Sequence, residues 1–187
     1  MENLLKLIEE IFDDHNGKIH CYEICIYSGT FYPFHLGHQE LLKKLPEDLI
    51  TFFVPDNNPQ KTKESKRNVN YYKTLVQFGR NQHPYYEMLN SKDKNYTFHY
   101  IYQLQQKFPF IKFSLAMGMD SLMTLSTWFE STNLIKMIFR IYVLSREEKL
   151  ETKIFHFRQL KKINPELEII ELGHHLFENL ASSKILK

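Results

Sequence analysis

Residues 22–42 read YEICIYSGTFYPFHLGHQELL, and this stretch decides the fold. Its first seven residues are β-rich and alternate in polarity, which predicts a strand over 22–28. From Leu36 to Leu45 the apolar positions take helical spacing. Gly29 and Pro33 mark the turn between them: glycine permits close approach of the backbone, and proline stiffens the turn. A helix that begins there offers unpaired N–H groups and the positive end of its dipole, a favourable place for a phosphate. His35 and His38 flank Leu36-Gly37 at that point and could donate hydrogen bonds to phosphate oxygens. A lone H-x-x-H pair is more often two ordinary histidines. Zinc would require a third ligand, and His83, His99, His156, His174 and His175 form no recognisable ligand set.

The same alternation runs outward from this unit. Leu4, Leu5, Leu7, Ile8, Ile11 and Phe12 predict an N-terminal helix over 3–12, within a helical extension over 1–20. DLITFFVP (48–55) reads as a strand buried on both faces, and the polar, basic stretch after it as a loop. A helix at 69–82, a strand at 84–89, a helix at 96–107 and a strand at 110–118 follow. Two short helices over 121–137, a strand at 138–145, a helix at 150–162 and a strand at 167–172 complete the pattern. Strands alternating with helices predict a doubly wound, mainly parallel α/β sheet with helices on both faces. In such sheets ligands bind beyond the carboxyl ends of the strands, where the strand order reverses. Without repeats or a break in composition, residues 1–187 are expected to form one domain.

Composition narrows the class. The 24 basic and 22 acidic residues leave a charge of +2, which argues against nucleic-acid binding through bulk charge. No run approaches the ~18 apolar residues of a membrane span. The start of the chain mixes acids into its apolar run, unlike a secretory signal. Cys21 and Cys25 would stand roughly 13 Å apart in an extended segment, too far for a disulfide. A soluble, cytoplasmic protein with reduced thiols is expected.

Six segments, taken in order, carry a family resemblance. GTFYPFHLGH (29–38) resembles the G-T-F-D-P-x-H-x-G-H signature of the nucleotidylyltransferases. VPDNNPQK (54–61) is similar to the loop that follows the second strand in that family, and points to Lys61. NYTFHYIYQLQQKFP (95–109) resembles S-Y-T-x-x-T-L-x-x-L, and MGMDSLMTLSTWF (117–129) resembles G-x-D-x-x-x-x-L-x-x-W. YVLSRE (142–147) matches a strand ending in Arg146, and ASSKILK (181–187) resembles I-S-S-T-x-I-R. Together they resemble the nicotinate (nicotinamide) mononucleotide adenylyltransferases of the HxGH superfamily.

That resemblance implies a Rossmann-like sheet and transfer of AMP from ATP to nicotinate mononucleotide, giving nicotinic acid adenine dinucleotide and pyrophosphate for NAD biosynthesis. By position match, His35 and His38 would hold the ATP phosphates, with Lys187 as a third catalytic group. Ser28, Gly29, Thr30, Phe31, Gly118, Asp120, Ser182 and Ser183 would complete the ATP site. Asp120 would take ribose hydroxyls; its alternative role is a helix N-cap. Lys61, Tyr96, Thr97, Trp128 and Arg146 would hold the mononucleotide, with the amides of Tyr96 and Thr97 on its carboxylate and Trp128 against its pyridine ring, unless that tryptophan belongs to the core. Mg²⁺ would arrive on the ATP phosphates, so no resident metal site is expected.

Against the family pattern, Ser28 replaces a glycine, Tyr32 an aspartate, Lys184 a threonine and Lys187 an arginine. Lysine keeps the charge of that arginine without its planar fork. The family pattern leads one to expect further C-terminal helices beyond Lys187, which this sequence would lack. An alternative follows: a nucleotide-binding homologue with weakened or absent catalysis and a binding or regulatory role.

Overall fold

The computed structural model describes residues 23–29, 31, 34–55, 86–88, 96–146 and 148–174. The helices expected over 3–12 and 69–82 lie outside the described residues. Six strands form one sheet: β1 (Glu23–Gly29), β2 (Ile50–Pro55), β3 (Tyr86–Met88), β4 (Lys112–Gly118), β5 (Arg140–Ser145) and β6 (Glu168–His174). Their order is β3-β2-β1-β4-β5-β6, and every pairing is parallel. This is the strand order of the doubly wound dinucleotide-binding folds, and its reversal lies between β1 and β4. The expected Rossmann-like α/β architecture is thus the one observed.

Alternation along β1 divides the core. Ile24 and Ile26 enter the larger apolar cluster, whereas Cys25 and Tyr27 enter the smaller one. The larger cluster lies beneath α2 (Thr97–Lys107), α3 (Met119–Thr124), α4 (Ser131–Met137) and α5 (Leu150–Ile163), through Tyr100, Ile101, Leu104, Leu122, Leu134, Ile135 and Leu160. The smaller cluster packs Leu41 and Leu42 of α1 (Leu36–Lys44) against Tyr27, Phe53, Ala116 and Tyr142. Apolar side chains on both faces of the central strands explain why their sequences read as nearly continuous hydrophobic runs.

Two local features differ from the sequence expectation. The helical stretch expected to begin at Ser121 begins at Met119, with Gly118 as its N-cap, and a 3₁₀ turn over Leu125–Thr127 separates α3 from α4. The last strand runs on to His174 because Gly173, at φ +89°, accepts a backbone conformation that other residues rarely adopt.

Candidate active site

The carboxyl ends of β1, β4 and β5 and the first turns of α1, α2 and α3 converge on the strand-order reversal. Most of the residues singled out from the sequence lie along this edge.

At the β1–α1 turn, His35 is the N-cap of α1. The Gly37 N–H donates to His35 Nδ1 at 3.2 Å, and the His35 N–H donates to His38 Nδ1 at 3.3 Å. The two rings stack with centroids 3.8 Å apart. This is a capping box built from imidazoles in place of the usual hydroxyl and carboxylate. It assigns the tautomers: a ring nitrogen that accepts a hydrogen bond carries no proton, so this bonding pattern places the N–H of each neutral ring at Nε2. Protonating Nδ1 would break the cap.

Aromatic rings hold His38 in place. Phe34 stacks on it at 5.4 Å and Phe31 meets it edge-on at 5.0 Å. Phe31 stacks in turn on Phe53 at 4.0 Å and meets Tyr27 edge-on at 4.8 Å. The Phe31 ring is 2% exposed, and its backbone is left-handed at φ 46°. Such a conformation is strained for a residue with a Cβ and is sustained only by its surroundings. Phe31, expected among the ATP-binding residues, therefore turns its ring into the core and supports His38. Gly29 has a related role: a Cβ added there would lie 3.0 Å from the Phe31 ring, so the space beside this glycine is taken up by that ring.

Neither α1 nor α2 has an acidic residue in its first turn. Their positive dipole ends are therefore left for an anion to balance. Tyr96 is the N-cap of α2 but supplies no side-chain cap bond, and its ring stacks on Phe129 at 4.5 Å. Thr97 begins the helix, with its hydroxyl 3.1 Å from Ser28 Oγ.

Beyond β4, Asp120 occupies the first turn of α3, exposed to solvent. The cap position belongs to Gly118, so the N-cap alternative for Asp120 falls away. Its Oδ2 pairs with Arg146 Nη1 at 3.0 Å, across the ends of β4 and β5. Trp128 packs against the larger core cluster while remaining partly exposed. Thr30, Lys61, Ser182, Ser183 and Lys187 lie outside the described residues, as does Tyr32.

One group near the site was not anticipated from the sequence. Ser145, 1% exposed at the end of β5, donates to Glu171 Oε2 at 2.9 Å. Lys153 of α5 forms an ion pair with that carboxylate and donates to Ser145 Oγ at 3.3 Å. The next residue, Arg146, donates its N–H to Glu148 Oε2 at 2.8 Å. These contacts fix the strand end that carries the arginine. Partial burial alone would raise the Glu171 pKa, but the hydrogen bonds from Lys153 and Ser145, with the lysine's charge, hold it below the usual carboxylate value. The only sequence signal is a polar residue at the end of an apolar strand; its partners lie on other elements.

Among the described residues no group of three or more His, Cys, Asp or Glu could hold a metal ion. No helix among the described residues is long and apolar enough to cross a membrane.

The sequence model of the cytidylyltransferase-like family matches residues 26–169. A curated protein of Flavobacterium psychrophilum, named "Probable nicotinate-nucleotide adenylyltransferase", is 32% identical over 132 residues, covering 66% of this chain and 68% of its own. A protein of the same name from Bacteroides fragilis is 30% identical over 118 residues, and the match spans 59% of each chain. Among solved structures, the Plasmodium falciparum nicotinic acid mononucleotide adenylyltransferase complexed with NaAD superposes with a TM-score of 0.66. It is 19% identical, covers 87% of this chain and 82% of its own, and at that identity establishes the fold alone. With the HxGH turn and the strand order in place, the chain belongs to the cytidylyltransferase-like nucleotidyltransferases, in the branch of the nicotinate-nucleotide adenylyltransferases.

Proposed function

We propose that the protein transfers AMP from ATP to nicotinate mononucleotide. The observation that carries this reading is the paired-imidazole cap at the β1–α1 turn. Both rings accept a backbone N–H at Nδ1, which leaves Nε2 as the donor of each neutral ring, at a helix N-terminus beside the strand-order reversal. Donors held in this way are suited to the oxygens of a polyphosphate.

The reaction asks little of acid–base chemistry. A phosphate oxygen of the mononucleotide forms a new bond to the α-phosphorus of ATP. The bond from that phosphorus to the bridging oxygen breaks, and its electron pair leaves with pyrophosphate. The attacking group is already an anion, so catalysis consists of alignment and stabilisation of charge. His35 and His38 hold the phosphates with the first-turn amides of α1. Asp120 takes ribose hydroxyls, and Arg146 lies beside it. The amides of Tyr96 and Thr97 take the pyridine carboxylate at the α2 dipole end, and Trp128 lies against the ring. Mg²⁺ brought with ATP neutralises phosphate charge when bound. Lys61, Thr30, Ser182, Ser183 and Lys187 join the site by position match. The protein works in the cytoplasm on this reading.

Incubation with ATP, Mg²⁺ and nicotinate mononucleotide should release pyrophosphate and the dinucleotide in equal amounts. Binding of both substrates by calorimetry without that release would establish the non-catalytic alternative instead.

A further inference from the structure

Ser28 follows Ile24 and Ile26 on the face of β1 that meets α2, and its Oγ lies 3.1 Å from Thr97 Oγ1. These residues are 69 positions apart, and Thr97 is 5% exposed. The family pattern has a glycine at position 28, which carries no hydroxyl for such a pair. It joins the strand that ends in the phosphate turn to the helix turn assigned to the pyridine carboxylate. No side-chain cap fixes that turn. It is held by the hydroxyl pair and by the stack of Tyr96 on Phe129.

We propose that Ser28 is a positioning residue for the mononucleotide: through Thr97 it sets the first turn of α2 at a fixed distance from the phosphate turn. The family pattern assigns Ser28 to the ATP site, but its hydroxyl lies beside Thr97 of α2. The proposal rests on the functional reading above. If it holds, losing either hydroxyl weakens nicotinate mononucleotide far more than ATP, because only the carboxylate-binding amides are released. The two losses must also overlap, since one bond is removed in both.

The test compares the full chain with Ser28→Ala, Thr97→Val, the double variant and Thr97→Ser. It uses KM for each substrate and the rate ratio of nicotinate to nicotinamide mononucleotide. Each single variant should raise KM for nicotinate mononucleotide about two- to tenfold, the range of one neutral hydrogen bond. KM for ATP should move less than the mononucleotide KM, and the nicotinate preference should fall. The double variant should be no worse than the poorer single, and Thr97→Ser should restore the parent behaviour. Thr97→Val is nearly isosteric and decides the matter alone if Ser28→Ala folds poorly. An unchanged mononucleotide KM, fully additive losses, or a change confined to ATP overturns the proposal and leaves the enzyme reading standing. A parent protein that neither binds nor converts the mononucleotide overturns both.

Discussion

Asp120 and Arg146 join the ends of β4 and β5, with Oδ2 and Nη1 3.0 Å apart. The carboxylate is 58% exposed and the guanidinium 21%. A pair this open to water contributes only about 0–1 kcal/mol to the fold. Its position beside the strand-order reversal fits the ribose-binding role proposed for Asp120.

Asp120→Asn should therefore leave the melting temperature nearly unchanged and weaken ATP. A hydrogen bond to a charged acceptor contributes about 1.5–3 kcal/mol, so KM for ATP should rise on the order of tenfold or more. Steady-state kinetics beside a thermal melt checks this. A large fall in melting temperature with an unaltered KM would make the pair structural.

The imidazole cap separates stability from catalysis at one residue. Asparagine can accept the Gly37 N–H in place of His35 Nδ1, but it has no Nε2–H in the same place. His35→Asn should keep the fold and lose most turnover. His35→Ala should lose turnover as well and, in addition, about 1 kcal/mol of stability for the missing cap. Urea denaturation curves for the two variants, read against pyrophosphate release, give the comparison.

Gly29 and Gly118 end β1 and β4, yet they should respond differently to an added methyl group. At Gly29 the new Cβ meets the Phe31 ring at 3.0 Å, and that ring is backed by Phe53 at 4.0 Å. Gly29→Ala should thus cost about 1–3 kcal/mol by overpacking and disturb His38 through Phe31. At Gly118 nothing lies within 4 Å of an added Cβ, and φ is −74°. Gly118→Ala should leave stability within about 0.5 kcal/mol and reduce ATP affinity if the nucleotide approaches there. Melting curves and ATP titrations distinguish the pair.

What the sequence revealed follows from how local each signal is. The β-rich run at 22–28 and the helical spacing after Leu36 are short-range patterns, so both elements could be read from them, as could their place at the head of a parallel sheet. Family spacing brought His38, Thr97, Asp120 and Arg146 to one edge. Contacts between distant residues left no such trace. Phe31 looked like part of a phosphate loop because its motif resembles one; its core ring depends on Phe53, 22 positions away. Ser28 was assigned to the ATP site by position match, and its pairing with Thr97, 69 positions away, left no local signal. Ser145, Lys153 and Glu171 come from three elements, and nothing in their local sequence links them.

Cys25 lies on the α1 face of β1 with no exposed surface, and burial pushes its thiol well above the ordinary value, with the Glu23 charge adding to the effect. The thiolate is the reactive form, so Cys25 should resist alkylation at pH 8 in the native protein and react once urea unfolds it. Peptide mapping after iodoacetamide treatment distinguishes it from Cys21. Rapid native labelling of Cys25 would show that this face of the sheet opens.

The Glu171 carboxylate gives the fold a pH dependence of known sign. Its pKa is held below the ordinary value, so its contribution is present above the unfolded-state pKa, near 4.5, and is lost as pH falls through the lower folded-state value. The side chain is 39% exposed, so solvent screening limits the effect to about 1 kcal/mol or less. Glu171→Gln should accordingly be slightly less stable than the parent at pH 7, and the gap should close below the folded-state pKa. Lys153→Met should behave in the same way at pH 7, because it leaves the carboxylate near Ser145 without its cation. Since the same contacts fix the strand end before Arg146, both variants should also weaken mononucleotide binding, whereas the remote Lys161→Met should not. Denaturation midpoints from pH 3 to pH 8, with mononucleotide titrations at pH 7, check both effects. A gap between Glu171→Gln and the parent that widens toward acid would reverse the sign assigned to this carboxylate.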